Sequence, residues 1–328
     1  MKILLTGCEG LIGKALKEAL LEYKIKVQGF DHKLPPTHPD YGDILESPQL
    51  DVVARDCEGI VHLAAVSRVI LGEKNPQLCW QTNFEGTQNV LNSALNSPKR
   101  PWVLYASSRE VYGNQDVLPV KESACIKPVN IYGRSKASAE EIVLKGREKG
   151  LNTAIVRFSN VYGSVKDHRD RVIPAFCFSA ATGRALKVEG SGNTFDFTHV
   201  SDVVAGTLKI IEKLNQGELN LPPFHFTTGR ATSLGEAAKI ANRAGGYKSK
   251  INEAPSRTFD VSNFCGEASQ TMSVLSWHPT IPLEEGMNEL ILRFSKDLNA
   301  EQGVKTHITE EQRHNENTQS DSWVSSTL

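Results

Sequence analysis

Ile3-Leu4-Leu5-Thr6-Gly7-Cys8-Glu9-Gly10-Leu11-Ile12-Gly13 is the stretch on which the fold turns. Ile3 to Leu5 is a short apolar run of the kind a buried strand carries. Three glycines follow at G-x-x-G-x-x-G spacing. Leu11, Ile12, Ala15, Leu16, Ala19 and Leu20 then recur at helical intervals. Gly7 permits a tight turn, and Gly10 lets backbone approach a pyrophosphate without a Cβ in the way. Gly13 lets the helix pack closely on the sheet. The helix N-terminus offers free N–H groups and a favourable dipole. A glycine triplet alone is common. Set between a strand and a helix, it predicts a dinucleotide held by Gly7, Gly10, Leu11, Ile12 and Gly13.

Working outward, Ile25 to Phe30, Gly59 to Leu63, Trp102 to Tyr105 and Thr153 to Val156 read as further strands. Asn83 to Leu95 and Tyr132 to Lys145 carry helical periodicity between them. Strands alternating with helices predict an α/β protein built on a Rossmann-type doubly wound parallel sheet. After Tyr162, polar stretches and prolines such as Pro174, Pro222 and Pro255 break the rhythm. They predict a smaller mixed α/β substrate-binding lobe. We expect the dinucleotide domain at 1–165 and about 192–230, and the lobe at about 166–191 and 231–300. Residues 301–328 have few apolar positions and predict a disordered tail.

The bulk composition excludes several classes. Lys+Arg is 37 against 38 Asp+Glu, so net charge supplies no attraction for nucleic acid or a membrane surface. No apolar run approaches the roughly 20 residues of a membrane span. The glycine turn follows Met1 too closely for a signal peptide. Cys8, Cys57, Cys79, Cys125, Cys177 and Cys265 form no C-x-x-C pair, and the nine histidines no H-x3-H pair. Reduced thiols, a cytoplasmic setting and no metal site are the expectation.

Two further patterns carry chemistry. Asp31 closes the second strand, where a carboxylate accepts from the adenosine ribose hydroxyls and repels a 2′-phosphate. It favours NAD, while Lys33 leaves NADP open. Tyr132 and Lys136 stand four apart on a predicted helix and so share a face. A phenol titrates near about 10 unaided. A nearby ammonium, joined by a positive nicotinamide ring, would lower that value and make Tyr132 an acid/base at a sugar hydroxyl.

The glycine spacing and Tyr-x-x-x-Lys together resemble the extended short-chain dehydrogenase/reductase family, in its NAD-dependent epimerase/dehydratase group. Ser107-Ser108-Arg109-Glu110-Val111-Tyr112-Gly113 resembles that group's S-x-x-V-Y-G segment, and Arg157-Phe158-Ser159-Asn160-Val161-Tyr162-Gly163 its R-x-x-N-V-Y-G segment. Phe195-Asp196-Phe197, Arg257-Thr258-Phe259-Asp260-Val261 and Leu275-Ser276-Trp277-His278-Pro279 continue the likeness, which spans about residues 2–298. The resemblance implies that Asp43 and Ile44 flank the adenine, and that Leu63, Ala64 and Ala65 let the cofactor pass. Asn83 would brace neighbouring strands. Ser108 would orient the substrate hydroxyl, and Asn160 and Arg257 would contact a sugar nucleotide. Homodimers paired through the tyrosine-bearing helix are also implied.

Two positions depart from the pattern. Phe195 stands where many members carry an arginine for the substrate diphosphate; Arg169 or Arg171 is a candidate replacement. Glu110 matches a general base of dehydratases and decarboxylases, but Arg109 precedes it and can hold it in an ion pair. A 4-epimerase needs no such base, because its keto sugar only turns over and takes hydride on the other face. The readings therefore run from 4-epimerase, through dehydratase or decarboxylase and simple reductase, to a non-catalytic NAD-binding scaffold.

Overall fold

Strand β1 (Lys2–Thr6) is central, with β2 (Lys26–Phe30) on one side and β3 (Gly59–His62) on the other. The computed structural model describes residues 1–257 and 261–298; the predicted tail at 301–328 lies outside them. Beyond β3 come β4 (Trp102–Ser108) and β5 (Thr153–Phe158), every pair parallel. Each of these strands lies within three residues of where apolar patterning puts it, β4 running on from Tyr105 to Ser108. A sixth parallel strand, over Phe224–Phe226, closes the edge beside β5.

Alternation along the strands buries both faces. Ile3, Leu5, Val61, Leu104 and Val156 pack on one side with the helices Leu11–Glu22 and Val200–Asn215. Leu4, Ile60, Val103, Tyr105 and Ile155 pack on the other with Gly86–Asn96 and Ile131–Glu148. A strand buried on both faces reads as a continuous apolar run, as β1 and β3 do. The spatial order reverses direction between β1 and β3. The crevice outside the carboxyl ends of these strands is where open α/β sheets hold ligands.

The later part of the chain gathers a second apolar cluster. Helices Val172–Thr182 and Leu234–Ala244 and a helix over 283–298 contribute Phe176, Ala237, Ile240, Leu290 and Phe294. A parallel strand pair, Leu186–Glu189 with Ile251–Ala254, covers it. The regular structure after Tyr162 is thus richer than its broken patterning suggests.

Candidate active site

The glycine turn shows why only glycine fits. Gly7 has a φ of +72°, and a Cβ there would sit 2.6 Å from the backbone nitrogen of Ala64. A Cβ on Gly13 would lie 2.1 Å from the Gly7 carbonyl oxygen. Backbone atoms cannot swing aside, so strand, turn and helix meet this closely only without side chains. Gly10 is the N-cap of Leu11–Glu22, with no side-chain cap and no acid in the first turn. The orphan N–H groups and the positive dipole end remain available to a diphosphate. This cradle fits a dinucleotide.

The rest of the cradle follows from strand ends. Asp31 accepts from the backbone N–H groups of Glu9 at 2.9 Å and Lys33 at 3.0 Å, which fixes its carboxylate at the end of β2. Leu63, Ala64 and Ala65 leave β3 into the same cleft, as does Ile44. Below them His62 bridges Thr6, at 2.7 Å, and Thr87, at 3.0 Å; burial pushes its pKa down to about 3, so it stays neutral. Asn83 accepts from Val66 N–H at 2.8 Å and donates to Ser135 Oγ at 3.0 Å. It thus ties the chain after β3 to the tyrosine-bearing helix, a structural brace. Asp43 is the exception: it is absent from the cleft lining, and its carboxylate instead accepts from Leu45 N–H at 3.0 Å in a local turn.

Apart from Arg169, every other predicted cofactor, catalytic and substrate residue lines one cleft of about 360 Å³. Tyr132 enters on the first turn of Ile131–Glu148, whose N-cap Asn130 accepts from Gly133 N–H at 2.8 Å. The helix is clamped from behind by Glu140, which takes both Nε, at 2.9 Å, and Nη2, at 2.6 Å, of buried Arg157 on β5. Ser108 ends β4 beside Tyr132, and its hydroxyl accepts from Glu110 N–H at 3.2 Å.

The phenol departs from expectation. Burial pushes its pKa up to about 12; hydrogen bonding by Ser108 pulls it down, and the charge of Glu110 adds to the rise. Lys136 does not donate to it. Its ammonium donates to the Ala106 carbonyl at 2.8 Å and lies 4.9 Å from the Tyr105 ring centroid. Burial lowers Lys136 to about 8. The shared helix face is real, but desolvation outweighs the lysine, because both groups lie in apolar surroundings. A positive nicotinamide ring held in the cleft would lower it further.

Arg109 and Glu110 form the ion pair their adjacency suggests, Nη2 to Oε1 at 2.8 Å, with both side chains buried. The other Glu110 oxygen accepts from Asn130 Nδ2 at 2.8 Å. Arg109 Nε donates to Asn160 Oδ1 at 3.2 Å, and the guanidinium lies 5.0 Å from the Phe195 ring centroid. Phe195 thus stacks beneath a cation supplied by another segment. Arg171 lines the cleft and donates to Ser67 Oγ at 3.1 Å, whereas exposed Arg169 lies over the Phe178 ring, outside the lining. Of the two proposed replacements for the arginine, only Arg171 is placed to serve. Arg257 also lines the cleft, 3.8 Å from Glu189. Sequence reasoning missed Asn130, although an asparagine before a helical run is an N-cap signal. It also missed Ser107 as a lining group, whose buried hydroxyl has no hydrogen-bond partner among the described residues.

A family model described as the NAD dependent epimerase/dehydratase family matches residues 3–221, well over half the chain. The chain belongs to this family. It is an NAD-dependent enzyme, and the glycine cradle and Asp31 are the parts of its structure that suit that cofactor. Over 302 residues it is 29% identical to a Methanocaldococcus jannaschii protein that carries the provisional name UDP-glucose 4-epimerase, covering 88% of this chain and 97% of that one. It is 28% identical to UDP-glucuronic acid decarboxylase 1 of Danio rerio, covering 90% and 73%. Among solved structures, a UDP-glucose 4-epimerase from Thermotoga maritima with UDP-glucose superposes with a TM-score of 0.82 at 25% identity, covering 91% of this chain and 100% of that one.

Proposed function

We propose that this family member is a sugar-nucleotide 4-epimerase working through a transient 4-keto sugar. The carrying observation is that Tyr132, Ser108 and Lys136 share one cleft with the glycine cradle, while both oxygens of Glu110 are tied to Arg109 and Asn130. NAD held by Gly7, Gly10 and Gly13 would supply the hydride acceptor and donor for the sugar carbon. Tyr132 takes the proton of the sugar hydroxyl on oxidation and gives it back on reduction. Ser108 orients that hydroxyl, and Lys136 contributes positive charge beside the ribose of the cofactor. Asn160, Arg171 and Arg257 support the nucleotide side of the substrate.

A second reading rests on Glu110, whose carboxylate lines the cleft next to Ser108. Were it released from Arg109, it would be a general base for a dehydratase or decarboxylase. Chromatography with mass spectrometry on UDP-, GDP- and dTDP-sugars separates the two. A product of unchanged mass and new retention is the expected result. Loss of water or carbon dioxide would establish the second reading, and consumption of added NADH a reductase. Tight NAD binding with no turnover of any sugar would leave the scaffold.

We also infer a cytoplasmic homodimer. Among the described residues no helix is long and apolar enough to cross a membrane. Leu144 on the tyrosine-bearing helix is 41% exposed, an apolar contact for a partner helix. A monomer by light scattering at micromolar concentration would refute the dimer.

A further inference from the structure

Glu110 stands in a chain of hydrogen bonds whose polarity runs one way. Its Oε1 accepts from Arg109 Nη2 and its Oε2 from Asn130 Nδ2, both at 2.8 Å. Asn130 Oδ1 accepts in turn from Gly133 N–H, also at 2.8 Å. A guanidinium only donates, an ionised carboxylate only accepts, and an amide does one at each end. The carboxylate therefore fixes the Asn130 amide with its nitrogen toward Glu110 and its oxygen toward Gly133. Glu110 and Asn130 are 5% and 3% exposed, so neither can trade these bonds for bonds to water.

One end of the chain is the turn that carries the phenol. Asn130 is the N-cap of Ile131–Glu148, and Tyr132 is the second residue of that helix. The first N–H groups of a helix have no partner inside it, and helix ends fray. Asn130 supplies the partner for Gly133, and Glu73 Oε1 the one for Ile131, at 3.1 Å. Near the other end is the serine. Glu110 N–H donates to Ser108 Oγ at 3.2 Å. A hydroxyl carries one proton, so accepting from Glu110 leaves that proton for the Tyr132 phenol, to which Ser108 is hydrogen-bonded. The two segments also meet directly, since a Cβ on Gly133 would lie 2.6 Å from the Glu110 carbonyl oxygen.

We propose that Glu110 is a positioning residue and not a general base: its backbone N–H holds Ser108, while its carboxylate, a double acceptor, holds the Tyr132 turn through Asn130. This rests on reading Tyr132 as the acid/base of the sugar-nucleotide reaction, and it gives Glu110 a part that needs no proton transfer. Glutamine cannot take over that part. If its oxygen stays with Arg109, its NH2 meets the NH2 of Asn130. Asn130 can turn over to relieve this, but its NH2 then meets Gly133 N–H and the cap is lost. If the glutamine turns over instead, its NH2 meets the guanidinium. Every arrangement leaves one pair of donors face to face.

The test is hydrogen–deuterium exchange of the full chain with NAD, read by mass spectrometry. In Glu110→Gln the peptide over residues 131–136 is expected to exchange about tenfold faster or more, while that over 140–148 keeps its wild-type rate. Asn130→Ser keeps a capping oxygen but has no amide to turn over. In that background Glu110→Gln is expected to change the exchange by less than about threefold, because the link between the two is already cut. No acceleration in Glu110→Gln, or the same acceleration in both backgrounds, overturns the proposal. On a sugar nucleotide that the panel shows to react, Glu110→Gln is expected to lower kcat about tenfold or more, with KM within about threefold, since the reacting groups are misplaced and the binding groups are not. Wild type turned over in D2O is expected to return product with no deuterium on a ring carbon. Ring deuterium that Glu110→Gln abolishes would make Glu110 a base and overturn the proposal. The exchange measurement needs no turnover, so it can fail or succeed apart from the epimerase reading.

Discussion

Lys136→Met separates what the lysine contributes to chemistry from what it costs the fold. Burial lowers the ammonium from an ordinary 10.5 to about 8. Between those two values the unfolded chain holds a proton that the folded chain has released. Stability then rises with pH, because the unfolded state binds more protons. The sign follows from a depressed cation: the penalty is full below about pH 8 and is lifted by about pH 10.5. The gap is about 2.5 pH units, or about 3 kcal/mol at 1.36 kcal/mol per unit. Methionine has nothing to titrate. The unfolding free energy of the variant minus that of wild type should therefore fall by about 3 kcal/mol across this window. Losing the hydrogen bond to the Ala106 carbonyl costs about 1 kcal/mol, a constant offset that leaves the pH slope untouched. Urea melts of both proteins at several fixed pH values supply the difference, and other titrating groups cancel in it. Parallel stability curves between pH 8 and pH 10.5 would show that Lys136 is not desolvated as described.

The remaining expectations concern the cradle and the phenol. Tyr132→Phe should lower kcat by about 10²–10⁴-fold while NAD stays bound, since only the acid/base hydroxyl is removed; near wild-type turnover would remove Tyr132 from the mechanism. Gly7→Ala places a Cβ 2.6 Å from the Ala64 nitrogen at a φ of +72°, so it should weaken NAD binding and cost at least about 1–2 kcal/mol of stability. An unchanged thermal midpoint and affinity would contradict the close approach. Asp31→Ala removes the acceptor for the ribose and the repulsion of a 2′-phosphate, so the ratio of NAD to NADP affinity should fall about tenfold or more in fluorescence titrations. A constant ratio would place cofactor choice elsewhere.

Local signals made the first half of the chain legible. Strands β1 to β5 each announce themselves within a few residues, and the glycine turn and Tyr132–Lys136 spacing need only sequence neighbours. What escaped depends on distant partners. Phe224–Phe226 is three residues long, follows Pro222 and Pro223, and becomes a strand only because Val156 to Phe158 offers it an edge. The loss of an arginine at Phe195 was readable; its stacking beneath Arg109 was not, since neither segment names the other. Asp43 lies outside the cleft lining for the opposite reason: its carboxylate accepts from the N–H two residues on, a local turn that needs no distant partner.

The cleft is built from groups that burial disfavours, and this bears on when Tyr132 can act. A phenol at about 12 lies about 5 pH units above neutrality, roughly 7 kcal/mol from being a useful base. Ser108 and the charge of Arg171 lower that value and Glu110 raises it, and burial leaves the balance at about 12. Lys136 is committed to the Ala106 carbonyl. A further positive charge near the phenol would ease proton abstraction, and an oxidised nicotinamide would supply one where a reduced, neutral ring would not. The consequence is directional: the site favours removing a proton when the cofactor is oxidised and returning it once the cofactor is reduced. A spectrophotometric titration of wild type against Tyr132→Phe should thus show the phenol titrating several units lower with NAD than with NADH. Equal values in the two forms would mean that the charge controlling Tyr132 belongs to the protein.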